Sequence, residues 1–98
     1  MVILQEPIGF EWDAGNEQKS YRKHKVGNQE CEEAFLDPDR KILKDVVHSQ
    51  NEERYLLIGE TKQKRLLFVV FMLRNQKVRV ISARDINKKE RVLHEKTA

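Results

Sequence analysis

The spacing of apolar residues changes character near residue 40. Upstream, Cys31, Ala34 and Phe35 recur at the i, i+3, i+4 interval of a helical inner face, which predicts a short helix over 29–36. Downstream the pattern becomes that of strands, over 40–47, 54–61, 66–74 and 77–83. Residues 66–73, Leu-Leu-Phe-Val-Val-Phe-Met-Leu, are apolar without interruption, as in a strand buried on both faces, so this segment is expected to be the central one. Lys62-Gln63-Lys64 and Asn75-Gln76 are polar connections of hairpin length, so the strands should form an antiparallel meander. Regular alternation in 77–83 puts Val78, Val80 and Ser82 on one face and Lys77, Arg79, Ile81 and Ala83 on the other.

The flanks complete the order of elements. Residues 8–12 alternate and hold two large aromatics, which suits a short strand. Asp13 is a candidate N-cap for a helix over 14–25, whose last turn would carry Arg22, Lys23, His24 and Lys25 against the negative end of the helix dipole. Val26-Gly27-Asn28 breaks that helix, and Asp37-Pro38-Asp39 ends the next, because a residue before proline avoids the helical region. Asn87 and Glu90 have capping-box spacing and start a closing helix to about Glu95, with Arg91 as the cation expected to reach inward. Strand, two N-terminal helices, a four-stranded antiparallel meander and a C-terminal helix make an α+β sandwich with helices on one face of the sheet.

Length and composition narrow the class. Ninety-eight residues suit one domain, and the apolar run of eight is far short of the roughly 20 that a membrane-spanning helix needs. The opening residues lack the basic and long apolar regions of a secretory signal, so a cytoplasmic protein with no membrane role is expected. A single cysteine, Cys31, allows no intrachain disulfide, and no Cys/His spacing suggests structural zinc. The net charge of +3 conceals a division: residues 1–61 carry 8 Lys/Arg against 13 Asp/Glu, while 62–98 carry 11 against 3. A basic half of this kind attracts polyanions by phosphate neutralisation and counterion release, although lysines also serve simply to solvate a sheet edge.

Three histidines, His24, His48 and His94, are not paired at metal-binding spacing, and each has an ordinary polar role open to it. The arginines are more informative. Arg54 begins a strand, Arg79 lies within one and Arg84 ends one. An arginine there is either solvated on an open sheet face or a clamp for phosphate. With helices on one face, the other can hold Arg54 and Arg79 side by side. No Ser-His-Asp set, phosphate-binding glycine loop or Cys-His pair can be assembled. Composition and spacing thus lead to a basic α+β domain that meets a polyanion.

Several blocks in register add a family. Phe10-Glu11-Trp12-Asp13, Lys23-His24 with Val26, and Ala34-Phe35-Leu36-Asp37-Pro38 resemble the opening of the BrnT family of bacterial toxins. His48-Ser49, Glu53-Arg54-Tyr55 and Gly59 match its middle, and Val78 to Arg84 followed by Lys89-Glu90-Arg91 matches its end. The resemblance implies a RelE-like fold and an endoribonuclease that needs no metal or other cofactor. In it the ribose 2′-hydroxyl attacks the neighbouring phosphodiester and translation stops. The implied partners are RNA, including mRNA on the ribosome, and a cognate BrnA-type ribbon-helix-helix antitoxin through which operator DNA is contacted indirectly. By position, Arg54, Arg79 and Arg84 would hold the scissile phosphate, and Lys23, His24 and His48 are candidates for proton transfer. Trp12 is expected in the core. The chain departs from the family pattern at Asn16, Ser20, Lys25 and Asn28, and His94 stands where a tyrosine is common, so His94 is a further candidate proton carrier. The alternative is a non-catalytic member of the fold that binds RNA, ribosome or antitoxin without cutting.

Overall fold

A computed structural model of the chain describes residues 8–12, 25–45 and 53–96, with residues 93–96 described by their backbone alone. The fold is α+β. Strands β1 (Gly9–Phe10), β2 (Lys41–Asp45), β3 (Arg54–Glu60), β4 (Leu66–Arg74) and β5 (Lys77–Asp85) form one sheet in the order β1-β5-β4-β3-β2. Helix α1 (Asn28–Phe35) precedes β2, and α2 (Lys88–Lys96) follows β5.

The predicted meander is present as β2 to β5, antiparallel throughout, with β4 in the centre. Among the described residues the sheet has five strands and is mixed, because β1 adds to the outer edge of β5 in parallel, pairing Gly9 with Lys77 and Phe10 with Val78. The predicted helix over 14–25 falls outside the described residues except for Lys25. That residue has a left-handed φ of 58° and is not helical. Residues 46 and 47 of the predicted second strand also lie outside the described residues.

Helix α1 starts at Gly27, whose extended backbone (φ −86°, ψ 168°) turns the chain into the helix and whose N–H donates to Glu30 Oε1 at 3.3 Å. Its inner face is the predicted one: Cys31, Ala34 and Phe35 are all buried. At its far end Asp37 accepts from the backbone N–H of Asp39 (2.9 Å) and of Glu60 (2.8 Å), so the break after the helix is also tied to the end of β3. Helix and sheet approach closely at Gly59, where a Cβ would run into the backbone carbonyl group of Ala34.

The core lies between α1 and the near face of the sheet, where Leu57, Leu67, Val69, Phe71, Val78, Val80 and Ala83 meet Val26 and the α1 residues. An aromatic chain runs through it, Phe10 to Phe35 to Phe71 to Tyr55, with centroid separations of 5.3, 4.9 and 5.5 Å. Trp12 packs against this core beside Phe10, as expected, and its indole N–H donates to Glu32 at 2.8 Å. In β4, Leu67, Val69 and Phe71 are buried, while the alternate residues on the far face are part-buried. The strand is therefore central but not fully covered on both sides.

Three expectations need correction. In β5 the core-facing residues are Val78, Val80 and Ala83, because Phe71 pairs with Val80 while Val70 pairs with Ser82. Ile81 is therefore an extra residue, a β-bulge, and it reverses the alternation beyond it. Ser82 faces away from the core and Ala83 faces into it. The helices also divide between the two faces. Arg84 points away from the core and grips Glu90 of α2, and α2 contacts β3. Ile58, on that far face, is only 2% exposed. Finally, the closing helix does start with the predicted capping box: Glu90 N–H donates to Asn87 Oδ1 (2.9 Å) and Asn87 N–H to Glu90 Oε1 (3.0 Å). Its inward-reaching charge, however, is Glu90, and Arg91 is exposed.

Candidate active site

The far face of the sheet holds the arginines that the sequence singled out. Arg54 pairs with Met72, and Met72 pairs with Arg79. Residues directly opposite in antiparallel strands share a face, so Arg54, Met72 and Arg79 form one row across β3, β4 and β5. With adjacent strands about 4.8 Å apart, the two arginines stand about 10 Å apart at the backbone, within reach of converging over Met72. Arg74 and Lys77, opposite each other, extend the same face toward the hairpin turn. That turn, Asn75-Gln76, has φ of 50° and 65°, the twin left-handed residues of a type I′ turn, and it fixes the register of the pair.

Carboxylates accompany the row. Arg79 Nη1 donates to Glu11 Oε1 at 3.1 Å, and Asp45 lies opposite Arg54. Glu11 follows Phe10, whose partner Val78 faces the core, so Glu11 leaves the strand on the arginine face. Its own N–H donates to Val78 O at 2.8 Å, which fixes residue 11 beside residue 79.

The next row toward α2 is apolar: Leu43, Leu56 and Val70 lie opposite one another in β2, β3 and β4, and Leu43 is 49% exposed. Beyond it Arg84 is engaged. Its Nη1 and Nη2 donate to the two oxygens of Glu90 at 2.9 and 2.8 Å, Nη1 also donates to Asp85 O at 3.0 Å, and the guanidinium lies 4.3 Å over the Phe68 ring. Burial would raise the Glu90 pKa, but the hydrogen bonds from Arg84 and the Asn87 backbone outweigh it and hold it below the usual carboxylate value. The bulge at Ile81 brings Arg79 and Arg84 to the same face despite their odd spacing.

Among the candidate proton carriers, Lys23, His24 and His48 lie outside the described residues, and so does the His94 side chain. The described residues hold no cluster of three His, Cys, Asp or Glu suited to a metal ion. No described helix is long and apolar enough to cross a membrane. Cys31 is buried, and burial, reinforced by Glu30 and Glu32, pushes its thiol up to about 12, so it is not a nucleophile at neutral pH.

Two polar groupings went unforeseen. Arg65 binds Asp85 through Nε (2.7 Å) and Nη2 (3.1 Å), and Glu30 and the Lys25 carbonyl through Nη1 at 3.1 and 2.9 Å. It thereby joins the start of α1 to the end of β5, and the Asp85 and Glu30 carboxylates hold it firmly charged. At the β2 edge Glu53 accepts from Lys44 (2.8 Å) and Tyr55 (2.7 Å). These bonds lower the Glu53 pKa and raise those of Lys44 and Tyr55. Neither grouping has a local sequence signature, because the partners of Arg65 are 20 to 40 residues away and Lys44 is nine residues from Glu53.

No curated protein gives a significant match to the chain. The match to a family is extensive: residues 12–90, which include β2 to β5 and α1, fit the family described as the ribonuclease toxin BrnT of type II toxin–antitoxin systems. With a basic sheet face built from Arg54 and Arg79 and a family match over most of its length, the chain belongs to the BrnT ribonuclease toxins of type II toxin–antitoxin systems.

Proposed function

We propose that this toxin is a metal-independent endoribonuclease with a RelE-like fold that halts translation by cutting RNA on the far face of its sheet. The row Arg54–Met72–Arg79 carries this reading. Two guanidinium groups on one rigid face can hold a phosphodiester and stabilise the charge that grows on it during attack by the 2′-hydroxyl. Lys23, His24, His48 and His94 are the proposed proton carriers brought by the family resemblance. Arg84 is proposed to hold α2 in place, since its bidentate pairing with Glu90 is already satisfied.

The partner is proposed to be a BrnA-type ribbon-helix-helix antitoxin that covers the same face with acidic and apolar residues. The exposed Leu43 and the row behind it offer the apolar part of that contact, and Arg54 and Arg79 the charged part. Operator DNA would be read by the antitoxin alone. Specific operator binding by the free toxin would contradict this division.

Incubating the purified toxin with RNA and a chelator tests the reaction. Cleavage should persist and leave 2′,3′-cyclic phosphate and 5′-hydroxyl ends. Loss of cleavage with the chelator, restored by one divalent ion, would overturn metal independence, and 5′-phosphate ends would require a different nucleophile. Intact RNA from a folded toxin would favour the non-catalytic, binding-only reading.

A further inference from the structure

We propose that Glu11 is the general base of this toxin, the group that takes the proton from the attacking 2′-hydroxyl; this rests on the reading that RNA is cut on the Arg54–Arg79 row. The geometry is specific. Glu11 stands on the arginine face at the exit of β1, and its carboxylate meets Arg79 Nη1 at 3.1 Å. The side chains are 37% and 22% exposed, so the pair borders solvent from which RNA can approach. Residue 11 cannot drift from residue 79, because its N–H is bonded to the carbonyl of Val78. The 2′-hydroxyl and the phosphorus it attacks belong to adjoining groups of one nucleotide linkage, about 3 to 3.5 Å apart when poised to react. A phosphate held by Arg79 therefore brings its own 2′-hydroxyl next to the carboxylate that Arg79 already touches.

In the step, Glu11 accepts the 2′-hydroxyl proton as the bond from that oxygen to phosphorus forms. The bond from phosphorus to the 5′ oxygen breaks, and that oxygen leaves with a proton from water or from one of the candidate acids. The products are a 2′,3′-cyclic phosphate and a 5′-hydroxyl, and no oxidant or metal enters the balance. Asp45, opposite Arg54, is the other described carboxylate on this row. It sits at the far side, on the edge strand β2, and the proposal gives it no proton to carry.

The test compares the intact toxin with Glu11→Gln, Glu11→Asp and Asp45→Asn. The substrates are an RNA oligonucleotide and the same oligonucleotide with a 2′-deoxy nucleotide at the scissile position, which binds but cannot be cut. Glu11→Gln should lower kcat about 100- to 10,000-fold, the usual contribution of a positioned general base, while the deoxy oligonucleotide binds no more weakly. Glu11→Asp keeps a carboxylate one methylene shorter and should recover part of kcat. Asp45→Asn alters the charge beside Arg54 and removes no base, so its effect should fall on KM and its kcat should drop far less than that of Glu11→Gln. Should Glu11→Gln melt below the assay temperature, a lower kcat at unchanged KM in Glu11→Asp gives the same answer. Glu11→Gln cutting at the unaltered rate would overturn the proposal. A loss of deoxy-oligonucleotide binding matching the loss of activity would also overturn it, because Glu11 would then only position Arg79. If the unaltered toxin cuts no RNA, the ribonuclease reading itself fails, an outcome distinct from either.

Discussion

Two arginine–glutamate pairs stand at opposite ends of the far face of β5. Arg84 meets Glu90 through two nitrogens at 2.9 and 2.8 Å, above an aromatic ring, with its acceptor also serving as the cap of α2. Arg79 meets Glu11 at 3.1 Å, and that acceptor follows a strand of two residues. Removing Arg84 from Glu90 would loosen both the helix cap and the seat of the helix on the sheet. The Arg79–Glu11 pair joins β5 to the short edge strand β1 and caps no helix. The same residue types on one strand thus serve as a helix clamp in one place and as a link to a two-residue edge strand in the other. What separates them is the amount of structure that depends on the partner.

The two pairs should differ most when their arginines are removed, beginning with Arg79. Arg79→Ala should lower the rate of RNA cleavage about 100- to 1,000-fold, as expected for losing one charge-stabilising donor, with the melting temperature close to that of the unaltered toxin. A strongly destabilised but fully active Arg79 variant would reverse the assignment. Arg84→Ala should do the opposite. A hydrogen bond between charged groups contributes about 1.5 to 3 kcal/mol, and the lower end is expected here because the Arg84 side chain is 36% exposed. For a domain of this size that is a drop of roughly 6 to 12 °C in Tm, with specific activity of the folded fraction preserved.

Acid should blur the second difference. The Glu90 pKa is below its ordinary 4.5 in the folded chain, so its ionised form stabilises the fold fully above that value. As pH falls through the lowered native value this contribution disappears. The gap in Tm between the toxin and Arg84→Ala should therefore be widest near neutral pH and narrow in acid, as thermal melts across the range will show. The smallest effects belong to double-mutant cycles. Coupling in the Arg84/Glu90 cycle should be about 1 to 2 kcal/mol, and in the Arg79/Glu11 cycle below about 1 kcal/mol. Equal couplings would remove the distinction.

The parts of this architecture set by neighbouring residues were legible in the sequence. The i, i+3, i+4 spacing of Cys31, Ala34 and Phe35, the central position of the uninterrupted 66–73 segment (though not its burial on both faces) and the Asn87/Glu90 box correspond to what is found. Contacts between distant segments were not legible. The parallel docking of β1 on β5 spans some 68 residues of chain and leaves no local trace. The face chosen by α2 depends on Arg84 reaching Glu90, and regular alternation gave no hint of the bulge that lets it do so. Within the candidate site, Arg54 and Arg79 were foreseen on one face, whereas Glu11 was not singled out because its importance arises only from the strand that β1 joins. The proton-carrying roles proposed for Lys23, His24, His48 and His94 rest on the family resemblance.

The extra residue in β5 acts like a frameshift in a message of period two. Before it, odd-numbered positions belong to the arginine face; after it, even-numbered positions do. Distance counted along the chain is therefore a poor guide to distance and direction on this sheet. A chain lacking Ile81 would have its two arginines four positions apart and still pointing the same way, with the strand merely straighter. A residue added elsewhere in β5 and absorbed without a bulge would instead turn Arg84 into the core. Tolerance of length in this strand should accordingly be confined to one place, the position where the register already slips.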